Sequence, residues 1–207
     1  MALLLHLIVD ALFSDVNSRA LLGVLTTLIL ITSLYAVNYA RRSLGLAIFL
    51  GLPFLASIWM QVFRESYTIN LTRQVSTLLF LGFTGLILLS HVLNSKRVTQ
   101  ETLYGAASIY LLLGFTWGAA FVLLEKISPG SFQGLTHAEL PSYLSRNLTY
   151  FSFVTLTTLG YGEIIPVSPL ARSLAIVEAV SGVLYLAFLV ARLVAMYMVH
   201  SMSKDER

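Results

Sequence analysis

The residues with the most specific chemistry stand together at Thr157-Thr158-Leu159-Gly160-Tyr161-Gly162-Glu163. Glycine alone visits left-handed backbone dihedrals at little cost, so Gly160 and Gly162 let a strand alternate between right- and left-handed residues. Such alternation turns successive carbonyl oxygens toward one side. A row of carbonyls facing a common axis replaces the hydration shell of a cation, provided that several copies of the strand surround that axis. Thr158 can add its hydroxyl at the inner end of the row. A dinucleotide-binding reading of the same glycines fails, because G-x-G-x-x-G needs glycine at position 165, which is Ile165, and no soluble strand precedes it.

Elements that hold such a strand must keep bulk water away from it, and the composition supplies them. The 207 residues are 57% hydrophobic and 11% charged, with a mean hydropathy of +0.82. Ordinary soluble domains are about 25% charged, so the chain reads as an all-α integral membrane protein. Four uncharged runs, Ala20 to Ala40, Ser43 to Phe63, Gln74 to Asn94 and Thr102 to Leu124, each hold 21 to 23 residues. At 1.5 Å per residue they reach roughly 31 to 35 Å, enough to cross a hydrocarbon core of about 30 Å. A fifth run starts after Pro169 and continues to about His200, broken only by Glu178 and Arg192. These are five expected transmembrane helices. Met1 to Phe13 is too short to span comfortably and is read as a short or interfacial helix, a possible sixth at the start; it lacks the positive n-region and the cleavage site of a secretory signal.

The segment from Glu125 to Arg172 differs from the tight connections elsewhere. It carries four of the five prolines and a shorter apolar stretch, Tyr143 to Leu159. A non-spanning apolar segment between two spanning helices implies a re-entrant loop. Backbone that is not helical at membrane depth is tolerated only where it is buried in protein or lines a water-filled path.

The run Thr157 to Glu163, preceded by Tyr150-Phe151 and followed by Pro166, resembles the T-T-V-G-Y-G-D signature of tetrameric potassium channels. The resemblance implies a homotetrameric, potassium-selective channel, with the carbonyls of Thr158, Leu159, Gly160 and Tyr161 as potassium ligands. Thr157, Gly162, Glu163, Tyr150 and Phe151 take the filter-supporting positions. Two positions depart from the signature, Leu159 for valine and Glu163 for aspartate. Two others depart behind the filter, where Tyr150 and Phe151 replace a pair of tryptophans. Tyr150 retains a hydroxyl and is expected to bond Glu163, whereas Phe151 has no polar atom to offer Tyr161. A weakly selective cation channel of the same build is the alternative. The resemblance also divides the chain into N-terminal transmembrane helices, 1–101, and a pore domain, 102–207. The latter comprises an outer helix 102–124, a pore helix and filter 143–163 and an inner helix 169–200.

On the inner helix, Gly182 falls at the position of the family's gating-hinge glycine. Close packing against a neighbouring helix is an equal account, since a helical glycine costs about 1 kcal/mol and needs a reason. Glu178, one turn earlier, is the inner-helix acidic candidate: it either faces the cavity or forms a hydrogen-bonded brace behind the filter. Arg192 reads as a snorkelling residue. Gly114 and Gly118 match the small-xxx-small pattern of helix packing.

The helix at the sensor position, Gln74 to Asn94, contains no arginine between Arg73 and Lys96, so no gating charge is expected there. Absent cysteines exclude thiolate metal sites and disulfides, and His91 has no second ligand at metal spacing. No paired catalytic carboxylates or Ser-His-Asp arrangement argues for an enzyme, and no cofactor is expected beyond permeant potassium. The 13 Lys and Arg are scattered without a basic stripe, which argues against nucleic acid. The expected partners are other copies of the chain, membrane lipid and potassium ions. The expected location is a plasma or bacterial inner membrane, crossed several times.

Overall fold

The computed structural model describes residues 67–95, 99–135 and 141–205, together with isolated positions between residues 27 and 60. Apart from those positions, the expected helices at Ala20 to Ala40 and Ser43 to Phe63 and the opening stretch Met1 to Phe13 lie outside the described residues.

Four helices carry the described part: α1 Tyr67–Asn94, α2 Gln100–Ile127, α3 Pro141–Leu156 and α4 Pro169–Asp205. Three of them contain segments long and apolar enough to cross a membrane, Asn70–Asn94, Thr102–Ile127 and Pro169–Ala195. The chain is a mostly helical, multi-pass membrane protein. Helix α1 starts earlier than the uncharged run, because Tyr67 to Arg73 contains no glycine or proline to stop it. Tyr67 to Arg73, ahead of the uncharged run, is therefore helix.

Local chemistry sets the other ends. Thr99 caps α2, its hydroxyl oxygen accepting from the Thr102 backbone N–H at 3.3 Å while Thr102 returns toward Thr99. The helix closes at Ser128, just before Pro129, a position biased away from helical dihedrals. Both α3 and α4 begin on proline, which has no N–H to leave unpaired in a first turn. Ser168 caps α4 by accepting from Ala171 N at 3.2 Å. With 37 residues, α4 is about 55 Å long and extends beyond a bilayer core.

Helices α1 and α2 pack as a hairpin, with the buried Gln74 amide donating to the Ala119 carbonyl at 2.9 Å. Helix α3 lies against α2 where Gly114 and Gly118 leave a groove: a Cβ at Gly114 would stand 2.6 Å from the Phe153 ring, and one at Gly118 would stand 3.0 Å from Thr149 Cα. The glycine pair is thus the seat of α3. At the opposite end from the α1–α2 turn, Phe121, Phe132 and Phe151 meet edge to face with centroids 5.2 to 5.4 Å apart. Leu148, Ile164 and Ala171 complete this core.

Two short strands, β1 Phe132–Gln133 and β2 Ile165–Pro166, pair antiparallel, Phe132 opposite Pro166 and Gln133 opposite Ile165. They fasten the segment after α2 to the segment that leaves the glycine motif. Gly134 follows directly, with φ +89°, and a Cβ there would overlap the Glu163 carbonyl oxygen. Glu125 anchors the same turn, its carboxylate accepting from Gly130 N at 2.7 Å and Phe132 N at 3.1 Å.

Candidate functional site

Helix α3 ends at Leu156, and the chain doubles back on it. The N–H groups of Thr157, Thr158 and Leu159 donate to the carbonyls of Phe153, Thr155 and Val154 at 3.0, 3.0 and 2.9 Å. Gly160 N also reaches the Val154 carbonyl, at 3.4 Å. The donors of this stretch are therefore turned onto the end of α3. Among the described residues, the carbonyls of Thr158, Leu159, Gly160 and Tyr161 accept no hydrogen bond. Positive φ recurs at every second position, +60° at Thr158, +59° at Gly160 and +83° at Gly162. Alternating handedness was legible at the glycines. Thr158 was not expected to share it, because a β-branched residue in this region is strained. Residues 157–163 are all exposed in the single chain, Leu159 at 57% and Tyr161 at 64%.

The residues expected behind this segment divide into two groups. Tyr150 donates its hydroxyl to Glu163 Oε2 at 2.7 Å, bridging α3 to the chain beyond Gly162. That bond holds the Tyr150 hydroxyl above the usual phenol range, because ionisation would remove the donor beside a carboxylate. Phe151 instead points into the aromatic core with Phe121 and Phe132. Thr157 turns its hydroxyl back to the Phe153 carbonyl at 2.6 Å.

Helix α4 presents Glu178 and Gly182, one turn apart, to the other helices. At Gly182 a Cβ would lie 2.5 Å from the Leu156 carbonyl oxygen, so glycine here permits α4 to touch the last residue of α3. The Glu178 side chain is fully buried in the single chain and meets Ser152 of α3, with 2.5 Å between Oε1 and the serine Oγ. Its surroundings are protein, not an open cavity. Ser152 carried no signal in the sequence, since a lone serine in an apolar helix is ordinary; its partner lies 26 residues away.

Residues 98–199 match a family described as ion channel. Over 83 residues, 38% of this chain, the sequence is 32% identical to an inward rectifier potassium channel of Paramagnetospirillum magnetotacticum. Residues 98–199 are thus similar to ion channels, and a shorter stretch of the chain is similar to a potassium channel. The chain spans about a quarter of the length of that curated relative, the match covering 24% of it. No solved structure matches the chain.

The family match begins at the α1–α2 turn and covers α2, α3, the glycine motif and most of α4. At the far end of the matched region from the glycine motif, Arg192 donates to the Ser95 carbonyl at 2.8 Å. Arg192 therefore ties α4 to the turn between α1 and α2, where a snorkelling side chain was expected. Two tyrosines add links that sequence reasoning missed. Tyr110 of α2 donates to the Leu156 carbonyl at 3.3 Å, and Tyr185 of α4 donates to the Ala106 carbonyl at 2.7 Å. Their rings stack with centroids 6.0 Å apart.

Proposed function

We propose that the protein is a potassium-selective channel in which four copies surround one axis and the carbonyls of Thr158, Leu159, Gly160 and Tyr161 ligate the permeating ions. The observation that carries this reading is the alternation of positive φ at Thr158, Gly160 and Gly162, in a stretch whose N–H groups from Thr157 to Gly160 are engaged and whose carbonyls from Thr158 to Tyr161 accept nothing among the described residues. Peptide carbonyls left without a donor need another partner. A dehydrated cation is the partner that stacked carbonyls suit. In this reading α3 is a re-entrant pore helix, α2 and α4 are the outer and inner helices, and residues 1–101 form the preceding transmembrane part.

Glu163 and Tyr150 support the filter from behind by their hydrogen bond, with Thr157, Gly162 and Phe151 as neighbours in the same support. Gly182 is the hinge position of α4, and the same glycine lets α4 touch α3. A second reading, a weakly selective cation channel, draws on Phe151. Its ring is committed to the core, so one polar brace stands where the family has two. Reversal potentials of the purified protein in planar bilayers decide between them. A potassium gradient should set the reversal potential, and sodium substitution should remove the inward current. Equal potassium and sodium permeability would establish the second reading, and no current at all would overturn both.

A further inference from the structure

Ser152 is the meeting point of three helices. Its Oγ lies 2.7 Å from the Gly114 carbonyl of α2 and 2.5 Å from Glu178 Oε1 of α4. Both distances are those of O–H···O hydrogen bonds. A serine hydroxyl has one proton, however, and the Gly114 carbonyl can only accept. If Glu178 were ionised, both neighbours of Ser152 would be acceptors. One of the two contacts would then set lone pairs against lone pairs with no proton between them. Both contacts become hydrogen bonds when the carboxyl carries a proton: Glu178 donates to Ser152, and Ser152 donates to Gly114.

The setting of the carboxyl agrees. Glu178 is 0% exposed, and along its own helix no other charged residue stands between Arg172 and Arg192. Among the described residues no cation pairs with it, and its Oε2 has no hydrogen-bond partner. A buried carboxylate with one bare oxygen and no counter-charge is far more costly than a neutral acid whose carbonyl oxygen is bare. From α2 the titratable group within electrostatic reach is the Tyr110 hydroxyl, which donates to Leu156. From α3 the facing group is Ser152. On α4 itself, Ser181 bonds the Glu178 backbone carbonyl, and the Tyr185 hydroxyl is directed to Ala106.

We propose that Glu178 is a neutral carboxylic acid whose proton completes a relay of hydrogen bonds, Glu178 to Ser152 to Gly114, that positions α3 between α2 and α4. Glu178 and Ser152 are positioning residues in this arrangement. The relay, together with Gly182 against Leu156 one turn further along, fixes the distance between α4 and the last turn of α3. The proposal concerns the proton on one side chain and does not depend on which ion the protein passes.

Infrared spectroscopy of the full-length protein in lipid at neutral pH tests it. The parent minus Glu178→Gln difference spectrum should contain the carbonyl stretch of a protonated carboxylic acid, and Ser152→Ala should move that band to higher frequency by removing the acceptor. Glu178→Gln should melt at the parent's temperature, because an amide offers a donor of the same reach, whereas Glu178→Ala should melt lower. Carboxylate bands in place of the acid band would overturn the proposal. So would an acid band that Ser152→Ala leaves unmoved, or a Glu178→Gln protein that fails to fold.

Discussion

At Thr158 a β-branched side chain occupies φ +60°, a conformation that residues of its kind rarely adopt, and it does so in register with Gly160 and Gly162. Strain of this sort, of order 1 to 3 kcal/mol, persists only where neighbours impose it. Here the Thr157, Thr158, Leu159 and Gly160 N–H groups, all turned onto the end of α3, impose it. A Cβ at Gly160 or Gly162 would touch nothing in the single chain, so alanine there acts through the backbone alone, at roughly 1 to 2 kcal/mol per copy. Gly160→Ala and Gly162→Ala should insert normally and lose selective potassium conduction; a mutant with the parent's permeability ratio would remove the filter assignment. Tyr150→Phe deletes the donor to Glu163 and nothing else. It should speed inactivation severalfold or relax selectivity in single-channel recordings, and parental behaviour would show that the bond supports nothing.

Between elements, glycine sets approach. Gly114 and Gly118 admit α3 to the surface of α2, and Gly182 admits the Leu156 carbonyl to α4. The two accounts of Gly182 predict different losses. A hinge demands flexibility, so Gly182→Ala would lower open probability with little effect on melting. Packing against a backbone oxygen gives no room for a methyl group, and overpacking of this kind destabilises by about 1 to 3 kcal/mol. We expect Gly182→Ala to lower the melting temperature of the detergent-solubilised protein, and an unchanged melting curve with reduced opening would favour the hinge alone. Arg192 on Ser95 and Tyr185 on Ala106 show that α4 is fastened to the α1–α2 turn and to α2 as well as to α3.

At the scale of the whole molecule, the described residues leave both apolar and polar surface uncovered. Only 11% of the apolar window of α4 is buried, against 44% in α2, and Leu159 and Tyr161 are exposed beside carbonyls that accept nothing. Lipid can cover an apolar helix, but it cannot satisfy a row of carbonyls. Four copies around one axis would cover the α4 faces and bring four rows together. Native mass spectrometry in detergent should give the mass of four chains. A conducting monomer or dimer would sink that arrangement.

The sequence determined by itself what depends on local rules. Apolar runs long enough for a bilayer marked α2 and α4 to within a few residues at most ends, and Pro169 marked the start of α4, whereas α3 begins at Pro141, two residues before the expected Tyr143. Gly160 and Gly162 announced left-handed backbone because few other residues accept it, and the Tyr150 to Glu163 bond was expected from the family resemblance, which puts those two side chains at supporting positions. The early start of α1, the left-handed strain at Thr158 and the bond from Arg192 to Ser95 were not legible, since each depends on what lies nearby in space. Glu178 makes the division plain. Its presence in an apolar span singled it out, yet whether it faced a cavity or protein was open until α2 and α3 closed over it and Ser152, unremarkable in its own helix, stood against it. Periodicity and residue type fix what each segment can become; which buried polar atom meets which is decided only when helices far apart in the chain are packed together, because a hydrogen bond depends on a few tenths of an ångström that no spacing along the sequence encodes.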